Sequence, residues 1–145
     1  MRGITTTPDE LIIYTDGGAR GNPGPAAIGI VIKSNSGSLL KTFGRYIGVS
    51  TNNQAEYRAL IAALEEAKKM GAERIKCFLD SELLVKQLKR EYRVKDKDLQ
   101  SLFVQAWNLT INFKNVSFNH IPRERNKEAD LAVNKALDGH SSFDK

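Results

Sequence analysis

The order of strand-like and helix-like segments limits the folds open to this chain more than any other feature. Three strand-like segments come first, at 11–15, 26–33 and 38–47, with no helical pattern between them. Beyond them helices and strands mix, with helices predicted at 53–70, 81–90, around 99–106 and at 124–137, and strands at 74–79 and 116–121. Strands separated by helices join through right-handed crossovers as parallel neighbours. The order βββ-α-β-α-α-β-α therefore predicts an α/β fold, a five-stranded mixed sheet with helices on both faces.

A single domain is expected from the length of 145 residues and from the absence of repeats, low-complexity tracts and linkers. We place this domain at 11–138, after a flexible lead at 1–10 and before a tail at 139–145. The sequence has no signal-peptide pattern and no apolar run near the roughly 20 residues of a membrane span. Cys77, the one cysteine, excludes an internal disulfide. We expect a cytoplasmic monomer without a membrane partner.

The charge distribution favours a polyanionic partner. The net charge is +5 and the isoelectric point about 9.4. Residues 86–97 carry six cationic and two anionic side chains, which accounts for most of that excess. Taken alone, this segment is equally well explained as a solvated helix end and loop.

Four acidic residues lie at the ends of predicted elements, and each has an ordinary structural explanation. Asp16 can be explained as the first residue of an Asp-Gly turn. The Gly- and Pro-rich stretch that it opens is nevertheless long, at roughly ten residues where a hairpin turn needs about two to five. Glu56 follows Asn53 by three residues, the spacing of a capping box. Asp80 stands where a helix N-cap is expected, and Asp130 is a first-turn acid in the last helix.

Taken together, the four acids indicate a metal site. Glu56 heads the apolar stripe of its helix, within about 40° of Leu60, Ala63 and Ala67, so its carboxylate should face the sheet. Strand ends are where α/β sheets form their sites. Converging carboxylates would repel each other without cations, and oxygen ligands suit Mg²⁺ or Mn²⁺. Two such ions about 4 Å apart support in-line displacement at phosphorus. A basic chain with this cluster predicts metal-dependent attack on a nucleic-acid backbone.

Four motifs in order resemble the type 1 ribonucleases H, which cut the RNA strand of RNA–DNA hybrids: YTDGGARGNPGPAAIGIVI, STNNQAEYRALIAAL, FLDSELLVKQL and HIPRERNKEADLAVNKAL. The resemblance runs over 11–137 and implies the ribonuclease H-like fold. It assigns the catalytic, metal-binding carboxylates to Asp16, Glu56, Asp80 and Asp130. Asp16 would bridge two ions of Mg²⁺ or Mn²⁺, with Glu56 and Asp80 on one and Asp130 on the other. The implied products carry 5′-phosphate and 3′-hydroxyl ends.

The resemblance also implies substrate contacts. Asn52 and Asn53 are expected in the minor groove, where the 2′-hydroxyl that separates RNA from DNA lies beside the base edges. Backbone groups at Gly17 and Gly18 are expected near the same hydroxyls. The further implied contacts are Asn22 and Thr51.

Two departures from the family pattern lead to further predictions. Many bacterial members carry a flexible His in the loop before the last acid, whereas this loop reads PRERNKEAD. We favour Arg123 in that role over His120, as an electrostatic contact to phosphate because arginine cannot act as a base. The basic helical protrusion of many bacterial members is missing, and we predict that four cations partly replace its contact with the DNA strand: Lys89, Arg90, Arg93 and Lys95.

Two other functions stay open at this point. A non-catalytic nucleic-acid-binding module on the same fold would be marked by loss of an acid, and all four acids are present. Another nuclease or integrase of the wider superfamily would lack the STNN motif and the PRERNKEAD loop. Within the ribonuclease H interpretation, double-stranded RNA stays open as a second substrate.

Overall fold

The computed structural model describes residues 9–143. It contains, in chain order, β1 (Glu10–Ala19), β2 (Gly24–Ser34), β3 (Leu39–Ser50), α1 (Asn52–Lys69), β4 (Arg74–Leu79), α2 (Glu82–Leu88), α3 (Lys97–Thr110), β5 (Asn115–His120) and α4 (Lys127–Phe143), with a 3₁₀ turn at Arg123–Arg125 before α4. The predicted order of elements is confirmed. Most of the predicted flexible lead, residues 1–8, lies outside the described residues.

The five strands form one mixed sheet in the order β3-β2-β1-β4-β5. β1, β2 and β3 pair antiparallel as a meander, whereas β4 pairs in parallel with both β1 and β5, as predicted for strands separated by helices. β1 and β4 pair only as far as Thr15 opposite Leu79. β1 then continues to Ala19 along β2, so one flank of β1 opens beside the end of β4. This opening positions the site.

Helices cover both faces of the sheet, as predicted. The main core lies between the sheet and α1, α2 and α3, and α4 packs on β2 and β3 across the opposite face. Asp16, Gly29 and Gly44 are directly opposite one another on β1, β2 and β3. A Cβ atom at Gly29 would overlap the carbonyl oxygen of Ala129, and one at Gly44 that of Ala132. The bare backbone of these two glycines therefore sets how closely α4 approaches the sheet.

The connection between β1 and β2 is shorter than predicted. Gly17, Gly18 and Ala19 pair with β2, so only residues 20–23 join the two strands and Asp16 lies inside β1 rather than at its end. Glycine was interpreted as a turn signal. Here Gly17 marks a close approach instead, because a Cβ atom at this position would overlap the backbone of Ala55 in α1.

The helix ends also differ in detail. Thr51, not Asn53, is the N-cap of α1, and its partner in the capping box is Gln54, which leaves Glu56 outside the cap. Ser81, not Asp80, caps α2. Both acids are thereby free of the structural roles that could have explained them. The tail predicted from residue 139 begins within α4, which continues to Phe143. No helix among residues 9–143 is long and apolar enough to cross a membrane.

Candidate active site

Three of the four predicted carboxylates meet at the open flank of β1. Asp16 extends from β1, Glu56 from the second turn of α1, and Asp80 follows the last residue of β4. One carboxylate oxygen from each lies within 4.8 Å of the other two. Asp16 is only 5% exposed, whereas Glu56 and Asp80 are half-buried at the surface of a cleft of about 370 Å³.

Asp130 completes the group from the other side of the sheet. It lies in the first turn of α4 and lines the same cleft. Its charge and a side-chain hydrogen bond from it both contribute to the raised pKa of Asp16. All four acids therefore line one cleft, and three of them, Asp16, Glu56 and Asp80, form the cluster within 4.8 Å.

Burial and mutual repulsion disfavour the charged forms of Asp16 and Glu56. Burial, followed by the charges of Asp80 and Asp130, raises the pKa of Asp16 from 3.8 to about 8. Burial and then the charges of Asp16 and Asp80 raise the pKa of Glu56 well above its ordinary value. Arg123 opposes both shifts. Clustered carboxylate oxygens whose charged forms are disfavoured in this way suit a hard divalent cation such as Mg²⁺ or Mn²⁺.

Glu56 is fixed by the backbone of β1. The amide of Gly17 donates a hydrogen bond of 2.8 Å to Glu56 Oε1. This contact requires α1 to lie against Gly17, where a side chain would not fit. The Gly17 amide, predicted near the RNA, is therefore already engaged within the protein.

Some of the predicted substrate-contacting residues line one side of the cleft, and hydrogen bonds connect others to them. Asn22 Oδ1 accepts a hydrogen bond of 3.0 Å from the amide of Asn52. Asn52 Oδ1 in turn accepts one of 2.8 Å from the amide of Ala19. These bonds tie the β1–β2 connection to the start of α1, which Thr51 caps. Gly17, Gly18, Asn52 and Asn53 line the cleft itself.

Comparison with known proteins identifies the family. A family profile described as reverse transcriptase-like matches residues 14–136. Ribonuclease HI of Halobacterium salinarum is 47% identical over 125 residues, which cover 86% of this chain and 63% of that protein. The crystal structure of RNase H1 from the same species matches with a TM-score of 0.88 and 45% identity, over 90% of this chain and 98% of that one. The chain belongs to the ribonuclease H family.

Two further ribonucleases H are similar to it. LC11-RNase H1, isolated from compost, has been solved in complex with an RNA/DNA hybrid and matches with a TM-score of 0.86 and 45% identity, over 90% of this chain and 98% of that one. The N-terminal RNase H domain of Rv2228c from Mycobacterium tuberculosis matches with a TM-score of 0.85 and 42% identity, over 88% and 98%. This chain spans 36% of full-length Rv2228c, which is described as bifunctional.

The remaining predicted residues divide between the cleft and a separate surface. In this member of the ribonuclease H family Arg123 lines the cleft. His120 is the exposed last residue of β5 and does not line it. Lys89, Arg90 and Arg93 are exposed and lie away from the carboxylates. The Arg90 guanidinium stacks 5.6 Å from the ring centroid of Trp107 on α3. A role for these three cations in binding stays a prediction.

The sequence analysis missed Asn126. This residue follows the 3₁₀ turn, is 1% exposed, and donates hydrogen bonds of 2.8 Å to the Thr15 carbonyl and 2.9 Å to Asp80 Oδ2. Its carbonyl accepts a hydrogen bond from the amide of Asp130. Asparagine ahead of a helix is a capping signal, but the contact with Asp80 depends on the tertiary fold.

Proposed function

We propose that this chain is a metal-dependent endoribonuclease that hydrolyses the RNA strand of RNA–DNA hybrids. The observation that carries the proposal is the meeting of Asp16, Glu56 and Asp80 within 4.8 Å at an open cleft. Isolated acidic groups are common on protein surfaces. Three that are drawn from β1, α1 and β4, with a fourth beside them, are costly unless a cation balances them. The relative LC11-RNase H1, solved with an RNA/DNA hybrid, supports the choice of substrate.

The metal ligands of this proposal are Asp16, Glu56, Asp80 and Asp130, and the metal is Mg²⁺ or Mn²⁺ as a pair. The cations would lower the pKa of a bound water and stabilise the charge that develops on the phosphoryl group. The protein supplies the rest. Gly17 fixes Glu56, and β1 holds Asp16 between the other acids. Arg123, which lines the cleft, would contact the phosphate. The expected products carry 5′-phosphate and 3′-hydroxyl ends.

Substrate choice would be made at the rim. We assign Asn52 and Asn53 to the minor groove of the hybrid, where 2′-hydroxyls distinguish the RNA strand. Gly18, Asn22 and Thr51 shape the same edge. A second contact would lie away from the cleft, where the DNA backbone is bound by Lys89, Arg90 and Arg93. Affinity for the hybrid should therefore fall steeply with rising salt concentration. Cleavage of double-stranded RNA as a side activity, a monomeric state and a cytoplasmic location belong to the same proposal.

The test is cleavage of matched RNA–DNA, RNA–RNA and DNA–DNA duplexes with Mg²⁺, with Mn²⁺ and with EDTA. We expect cuts in the RNA of the hybrid with either metal and none in EDTA. Hybrid binding without cleavage under every condition would instead support a non-catalytic binding module. Cleavage of the DNA duplex at a comparable rate would favour a nuclease of the wider superfamily.

A further inference from the structure

Asn126 joins three parts of the site that come from distant parts of the sequence. Its side-chain amide reaches Thr15 on β1 and Asp80 after β4, and its carbonyl accepts from Asp130 at the start of α4. Thr15 is the residue before Asp16. Asn126 therefore contacts the carboxylate of Asp80, the backbone amide of Asp130 and the residue before Asp16.

The chemistry at Asn126 allows one orientation of its amide. Both partners of Nδ2, the Thr15 carbonyl and the Asp80 carboxylate, are acceptors only. A flipped amide would set oxygen against oxygen twice. The position therefore requires a neutral side chain with two donors, which asparagine provides and aspartate does not.

The far side of the same amide argues against a role in stability alone. Asn126 Oδ1 is buried and has no hydrogen-bond partner among the described residues, and the same is true of Thr15 Oγ1. A buried acceptor without a partner is unfavourable, and native proteins keep few of them. An apolar residue that only filled this space would not bury an unpaired acceptor.

We infer that Asn126 is a positioning residue that fixes the orientation of Asp80 for metal binding. One oxygen of Asp80, Oδ2, is held by the amide at 2.9 Å, which restrains rotation of the carboxylate and leaves Oδ1 for the cleft. Partners that orient metal ligands in this way contribute roughly 10- to 100-fold to metal affinity. The inference rests on the proposed function, since it assumes that the acids bind a divalent cation.

The experiment measures Mn²⁺ affinity by isothermal titration calorimetry on the full chain, without nucleic acid. Asn126→Ala should bind Mn²⁺ about 10- to 100-fold more weakly than wild type. The Mn²⁺ affinity of Asn126→Ser, which keeps one hydrogen-bond donor, should lie between those of wild type and Asn126→Ala. In the Asp80→Asn background, Asn126→Ala should weaken Mn²⁺ binding by less than about a further twofold, because the carboxylate that Asn126 orients is already absent.

Asn119→Ala is the matched control. Asn119 Nδ2 donates to the Cys77 carbonyl of β4 and to Ser117 Oγ, both at 3.2 Å, so the variant also loses two hydrogen bonds but touches no acid of the site. Its Mn²⁺ affinity should equal that of wild type. Circular dichroism checks each variant for folding, and Asn126→Ser carries the test if Asn126→Ala does not fold. Wild-type affinity in a folded Asn126 variant would overturn the inference. Absence of Mn²⁺ binding by wild type would instead overturn the metal dependence of the proposed function.

Discussion

The carboxylate of Asp16 should weaken the folded state whenever no metal is bound, and Asp16→Asn should reveal this. The pKa of Asp16 is raised to about 8 from 3.8. Between pH 3.8 and about pH 8 the folded protein keeps a proton on Asp16 that the unfolded chain releases. The free energy of unfolding therefore falls as pH rises through this range. In EDTA the contribution of Asp16 to the free energy of unfolding should therefore be most favourable below about pH 4, fall with rising pH and level off near pH 8.

The magnitude follows from the same values. At pH 7 the unfolded Asp16 lies about three pH units above its pKa, and each unit corresponds to about 1.4 kcal/mol. Ionisation of Asp16 in the unfolded chain therefore lowers the free energy of unfolding by about 4 kcal/mol at pH 7. This is a large share of the roughly 5–15 kcal/mol by which a typical domain is stable. Asparagine has a similar shape and no charge. We expect Asp16→Asn to recover about 2–4 kcal/mol in EDTA at pH 7, allowing for hydrogen bonds that the amide makes less well.

The assay is urea unfolding at pH 5, 6, 7 and 8, with EDTA and with Mg²⁺. Asp16→Asn should be more stable than wild type in EDTA, show a flatter pH dependence, gain less from Mg²⁺ and lose cleavage while still binding hybrid. Asp9→Asn is the matched control, because Asp9 is exposed and paired with Arg74, and it should change stability by less than about 1 kcal/mol. If Asp16→Asn is no more stable than wild type in EDTA at pH 7, the electrostatic account of the site is wrong.

Two other predictions concern substrate and catalysis. Substitution of Lys89, Arg90 and Arg93 by alanine should weaken hybrid binding and reduce the salt slope by roughly two to three, measured by fluorescence anisotropy from low to moderate salt; an unchanged slope would exclude these cations from the interface. Arg123→Ala should lower the cleavage rate at saturating metal by about tenfold or more, as expected for loss of a charged contact to the reacting phosphate, whereas His120→Ala should change it less than twofold; equal losses would contradict the preference for Arg123.

Much of the fold could be predicted from hydrophobic periodicity. The core residues of α1 recur at helical spacing, and the strands are short apolar runs bounded by turn residues. The four acids were identifiable because they lie at the ends of predicted elements and within family motifs. Glu56 in particular shares the face of Leu60 and Ala63, so its inward direction followed from helix geometry alone.

What the sequence could not supply depended on contacts between distant segments. Glycine occurs both in turns and where two backbones approach closely, and the sequence of the β1–β2 connection favours the turn. That Gly17 instead lies within β1 against the backbone of α1 depends on tertiary packing. Thr51 and Asn53 are both good caps, and only the geometry of the helix start decides between them. Asn126 lies 46 residues from Asp80, so no local pattern could have joined them.

The two glycines under α4 make the active site depend on residues that never meet the substrate. A single methyl group at position 29 or 44 would push the helix away from the sheet and carry Asp130 away from Asp16. Such a change creates no cavity and removes no charged group. In a mutational scan scored by activity, Gly29 and Gly44 should therefore tolerate substitution as poorly as the acids do, although both lie outside the cleft. In this protein the bare backbone at Gly29 and Gly44 therefore sets how near Asp130 can come to Asp16, from positions that the substrate does not reach.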